Sequence, residues 1–120
     1  RSRGLGDVYK RQILDDADIE KAVAAGVSSC FLNTGQSCNA PTRMLVSSKN
    51  YDKAVEIASA TANAMKVGDP FDADTKMGPI SNKAQFEKVQ RLIQVGIDEG
   101  ATVAAGGLGL PEGLYRWVFC

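Results

Sequence analysis

Three stretches of this sequence repeat apolar residues at helical spacing on one side only, while just two short runs have strand character. That imbalance constrains the fold more than any other feature, because an amphipathic helix needs a sheet or another helix to cover its stripe. Ile19, Val23, Val27 and the cluster Cys30 to Leu32 mark the first stretch, and Asp15 or Asp16 is placed to cap its orphan N–H groups, so a helix is expected from about Ala17 to Phe31. Tyr51 to Lys66 aligns Ala54, Val55, Ile57, Ala58, Ala62 and Met65 along the second, with Asp52 in the first turn and Lys66 in the last. Asn82 opens the third, where Phe86, Val89, Leu92, Ile93 and Ile97 form the stripe and Gly100 follows as a left-handed cap. Arg43 to Ser48 reads as a short buried strand and Thr102 to Ala105 as a weaker one. Between the second and third helices, Val67 to Ser81 holds two prolines and two glycines and is expected to be a loop. The resulting order is helix, strand, helix, helix, strand: an α/β arrangement in which the helices are layered on a sheet that is mostly missing.

The remaining features bound the function. At 120 residues with 44% hydrophobic content the chain suits one globular unit, able to bury roughly two-thirds of its unfolded surface if it is a complete domain. Formal net charge is zero with the signs interspersed, which gives no footprint for nucleic acid or an anionic membrane. No window is long and apolar enough to span a bilayer, and no secretory signal precedes a cleavage site, so a cytoplasmic location is expected. Arg1 to Gln12 has no apolar period and reads as a disordered or foreign leader, with residues 13–120 as the folded part. The absence of histidine removes Cys-His and Ser-His-Asp hydrolases and most catalytic zinc sites. Cys30, Cys38 and Cys120 are too few and too widely spaced for a structural zinc site or a CxxC motif.

One thiol stands apart. Asn33 to Pro41 is too rich in Gly, Asn, Ser and Thr to continue a helix and reads as a turn that presents Cys38. A thiolate attacks a carbonyl well when it is reachable and partly deprotonated, and a loop rich in backbone N–H groups favours both. Gly35 permits close approach of the backbone to a ligand, and Asn33 is suited to fixing the turn through side-chain to backbone hydrogen bonds. Cys30, on the apolar side of its helix, reads as a packed thiol. Arg43, five residues after Cys38, either raises the local potential or pairs with a carboxylate elsewhere.

Phe31 to Cys38 (FLNTGQSC) meets every fixed position of Phe-x-Asn-x-Gly-Gln-x-Cys, and in this it resembles the active-site signature of the NAD(P)-dependent aldehyde dehydrogenases. Asp16-Ala17-Asp18, Gly68-Asp69-Pro70, Met77-Gly78-Pro79, Gln85-Phe86 and the stretch from Glu99-Gly100-Ala101 to Gly106-Gly107 are similar to that family in order and approximate spacing. The resemblance covers roughly Ile13 to Trp117 and implies the first part of the family's catalytic domain, truncated at both ends. It implies that Cys38 attacks an aldehyde to give a thiohemiacetal, that the Cys38 N–H and an upstream asparagine hold the oxyanion, and that hydride passes to NAD or NADP. A glutamate in a preceding Glu-Leu-Gly-Gly segment would then activate the water that releases the acid.

By the same resemblance Ser37 and Asn39 line the aldehyde pocket, and Asn33, Gly35 and Gln36 support the loop. Gln85 and Lys88, one helical turn apart, would reach the adenine-side ribose; a solvated helix face explains those two equally well. The full-length parent would be a homo-oligomer, with no metal, nucleic-acid or membrane partner. Two other classes stay open: a non-catalytic α/β fragment, and a different thiol-dependent acyl-transfer protein.

Overall fold

The computed structural model describes residues 10–110. The described residues divide into two compact units, one up to Thr61 and one from Ala62. The first begins with strand β1 (Lys10–Ile13), continues through helix α1 (Ile19–Phe31) to strand β2 (Arg43–Val46), and reaches helix α2 (Tyr51–Asn63) at its end. β1 and β2 are parallel, with Lys10 opposite Arg43 and Ile13 opposite Val46. A parallel pair cannot be joined by a tight turn, so α1 serves as the crossover of a βαβ unit. The fold is α/β.

The order of elements corrects the expectation at two places. Lys10, Arg11 and Gln12, assigned from sequence to a disordered leader, are strand residues. Polar side chains hid this strand: only Ile13 of the four is buried, and the strand exists because β2 supplies backbone partners rather than because of propensity. Residues 1–9 lie outside the described residues. At the other end, Thr102 to Ala105 is not a strand. No described strand pairs with it; with Ala101 and Gly107 it lines a groove of about 390 Å³ against Ile93, Gly96 and Ile97.

The core of the first unit is Ile13, Val23 and Ala54, packed by Ile19, Ala22, Val27, Met44, Val46, Ile57 and Ala58. Val23 is fully buried, which fixes the α1 stripe inward. Gly26 lies where α1 runs closest to the sheet's side chains: a Cβ there would stand 2.6 Å from Met44 Cε and 2.8 Å from Arg11 Cδ. β2, expected to be buried, is half so. Its residues alternate between exposed and partly covered, and Leu45 is 49% exposed, because only one face of the strand meets a helix.

Helix boundaries follow hydrogen bonds that composition does not reveal. Asp18, not Asp15 or Asp16, caps α1 by accepting the Lys21 N–H at 3.2 Å. Asp15 instead accepts the Ser47 hydroxyl and, at 3.3 Å, the Asn50 amide, tying the β1–α1 connection to the chain after β2. α2 ends at Asn63 rather than running to Lys66. In the second unit the Lys66 carbonyl accepts the N–H groups of Lys76 (2.8 Å) and Met77 (3.1 Å), and the Gly68 N–H donates to Met77, so the expected loop is an ordered excursion. Helix α3 (Lys83–Asp98) starts at its expected cap, Asn82, which accepts the Gln85 N–H at 2.9 Å. It stops at Gly100, whose φ is 94° and whose N–H donates to Ile97.

Candidate functional site

α1 delivers the chain to the candidate site and then stops abruptly. Leu32 is extended (ψ 133°), and Asn33, Thr34 and Gly35 follow with φ of 53°, 58° and 71°. Three left-handed residues in succession reverse the chain over the end of α1, close enough that a Cβ on Gly35 would stand 3.6 Å from the Cys30 carbonyl oxygen. Gln36 closes this turn with two donors on one acceptor: its main-chain N–H and its side-chain amide both reach the Asn33 carbonyl, at 3.1 Å and 3.2 Å. The expected role of Asn33 therefore shifts: its carbonyl is the acceptor that fixes the turn, and its side chain is exposed.

A second turn presents the thiol. The Ala40 N–H donates to the Ser37 carbonyl at 3.1 Å, which puts Cys38 and Asn39 at the two apical positions. Ala40, 3% exposed, anchors the far side, while Cys38 and Asn39 are exposed. The turn bond uses the Ala40 N–H and not that of Cys38, an arrangement suited to a donor for an anion that forms beside the sulfur. Both Cys30 and Cys38 are free. Burial pushes the Cys30 thiol above its ordinary value, which disfavours its thiolate. Arg43, at the start of β2, is exposed and forms no ion pair among the described residues.

The family model of the aldehyde dehydrogenases matches residues 8–117, which includes both turns and the whole described chain. The chain belongs to the aldehyde dehydrogenase family. It is 49% identical over 115 residues to 3-succinoylsemialdehyde-pyridine dehydrogenase of a Pseudomonas species, a match that covers 96% of this chain and 24% of that protein. Among solved structures it is similar to the aldehyde dehydrogenase of Bartonella henselae, with a TM-score of 0.86 and 49% identity over 92% of this chain and 23% of that one. A cysteine-to-alanine mutant of aldehyde dehydrogenase C from Pseudomonas syringae, complexed with NAD+ and octanal, gives 0.85 and 44% over 87% and 21%. The chain thus spans about a quarter of the length of these aldehyde dehydrogenase relatives.

Of the residues singled out from sequence in this aldehyde dehydrogenase chain, Asn33, Gly35, Gln36, Ser37, Cys38 and Asn39 share one short segment built from the two turns. Gln85 and Lys88 are on the first turns of α3 in the second unit, both exposed, with the Gln85 backbone N–H taken by the cap. Two contributors were not legible. Ala40 carries no chemistry, so only its burial reveals it as an anchor. Thr34, a β-branched residue, is disfavoured in the left-handed region, and sequence rules point away from the conformation it holds.

Proposed function

We propose that this chain carries the nucleophile of an aldehyde dehydrogenase and that the nucleophile is Cys38. The observation that carries the reading is the placement of this exposed thiol at the apex of the Ser37–Ala40 turn, within Phe-x-Asn-x-Gly-Gln-x-Cys, in a chain of that family. The Cys38 sulfur adds as thiolate to the carbonyl carbon of an aldehyde, and the Cys38 N–H holds the oxygen that becomes an anion. Ser37 and Asn39 flank the reacting carbon. When bound, an oxidised nicotinamide supplies the hydride acceptor. After that oxidation Cys38 keeps the acyl group as a thioester until water releases the carboxylic acid and returns the thiolate. The glutamate base and the second oxyanion donor come from outside these 120 residues.

NAD or NADP is the cofactor of this reading. Structures similar to this chain are complexes with NAD+ or with NAP. The residues present fit such a group: Gln85 offers an amide that both donates and accepts, Lys88 offers an ammonium one turn away, and both are open to solvent on α3. Such a pair would hold ribose hydroxyls. We read the whole protein as a homo-oligomeric enzyme acting on an aldehyde, with no nucleic-acid or membrane partner.

The test is Cys38→Ser in the full-length enzyme. A hydroxyl near neutral pH lacks the thiolate's nucleophilicity, so aldehyde-dependent NADH formation falls by more than about a hundredfold in kcat. A smaller loss removes Cys38 from the nucleophile's role.

A further inference from the structure

Thr34 has the costliest backbone conformation in the described chain. Its neighbours Asn33 and Gly35 are also left-handed, but glycine has no Cβ to clash and asparagine enters the region readily. Threonine carries two heavy atoms on Cβ, and at φ 58° and ψ 34° a β-branched residue is a true outlier. Such a conformation persists only where the surroundings over-determine it. Here they do so from both sides. Before Thr34, α1 is terminated by the extended Leu32. After it, Gln36 grips the Asn33 carbonyl with two donors, and the chain is pinned again at buried Ala40.

We propose that Thr34 is a positioning residue for the Cys38 thiol, a step that rests on Cys38 being the nucleophile. The left-handed well open to a residue with a Cβ is small and steep-walled, and the branch of threonine adds cost to entering it. Once the flanking contacts force Thr34 into it, the turn has little freedom left, and the Ser37–Ala40 turn that follows is launched in one direction. Glycine at this position would keep the same mean conformation available but remove the walls around it. Asparagine would keep a Cβ, and so the confinement, while lowering the cost of the left-handed state. The two substitutions therefore separate stiffness from strain.

The experiment compares Thr34→Gly, Thr34→Asn and Cys38→Ser in the full-length enzyme by steady-state kinetics, pre-steady-state acylation and thermal melting. Thr34→Gly is expected to lower kcat and the acylation rate together by about tenfold or more, with KM for the aldehyde changed less than about twofold, because displacing a reacting group by a fraction of an ångström is that costly. Thr34→Asn is expected to keep kcat within about threefold of the parent and to melt at a higher temperature, since the strain is relieved while the Cβ walls stay. A purely structural role would lower the melting temperature and leave kcat per folded enzyme untouched. The proposal is overturned by a Thr34→Gly enzyme with parental kcat, by Thr34→Asn as slow as Thr34→Gly, or by Thr34→Asn melting below the parent; the last holds even if Thr34→Gly fails to fold. If Cys38→Ser stays active, the nucleophile assignment itself has failed; if Cys38→Ser is dead and Thr34→Gly is normal, only the role of Thr34 falls.

Discussion

Cys30 and Cys38 are eight positions apart in sequence and chemically far apart. Cys30 is half-buried on α1, and desolvation of its thiolate raises its pKa; Cys38 is exposed at a turn apex. Alkylation proceeds through the thiolate at a reachable sulfur. Limiting iodoacetamide at neutral pH should therefore label Cys38 well before Cys30, as read by mass spectrometry of the peptides that contain each; equal labelling would mean that α1 does not protect Cys30. Nothing in the residue types distinguishes the two thiols. The distinction was legible through the glycine- and amide-rich segment that breaks the helical period between them, whereas the left-handed run at Asn33 and Thr34 was not, because neither hydrogen bond of Gln36 to the Asn33 carbonyl leaves a trace in composition.

At the scale of elements, caps decide where helices begin. Asp18 is held below the usual carboxylate range first by the Lys21 backbone N–H and then by the Lys21 side chain, with an ion pair at 3.1 Å. A carboxyl whose folded pKa is depressed gives stability that is present above its unfolded value and lost as pH falls through the folded one. Acid titration followed by NMR should find the Asp18 midpoint below that of an unstructured aspartate, with α1 fraying from its N-terminus as the group protonates. An ordinary midpoint would place the cap elsewhere, for instance at Asp16. α3 depends on an uncharged cap, so no cap protonation enters its start. Asn82→Ala leaves the Gln85 N–H without its partner and is expected to cost about 1 kcal/mol, seen as a lower denaturation midpoint and as fraying of the turn that carries Gln85 and Lys88.

For the whole molecule, coverage is the governing quantity. Among the described residues only Ile13, Val23, Ala40 and Ala54 form buried apolar core, and α3 buries none of its side chains fully. Leu32 is 69% exposed, Tyr51 60% and Phe71 97%. An isolated pair of strands is marginal in water, and the helical cover this pair receives still leaves these large apolar side chains exposed. The 120 residues expressed alone are therefore expected to give helical circular dichroism without a sharp melting transition, to aggregate at moderate concentration, and to produce no NADH from aldehyde. A soluble monomer that melts cooperatively would show that residues 1–120 are self-sufficient, and turnover by that monomer would place the base and the cofactor site within them.

The sequence by itself determined the three helices, the loop between the last two, the turn that presents Cys38 and the family, because each rests on local periods, caps or a contiguous motif. Phe86, Val89, Ile93 and Ile97 can line one side of α3 only in a helix, whatever surrounds it. The tertiary structure alone decided β1, which is polar and exists through its pairing with β2, and denied strand status to Thr102–Ala105, which has no described strand beside it. It also chose Asp18 over Asp16 as the cap and held Thr34 in a conformation that its own side chain opposes. The physical reason is common to all four: strand pairing, cap choice and backbone strain depend on hydrogen-bond partners brought together by the fold, and a one-dimensional pattern does not specify which partners arrive.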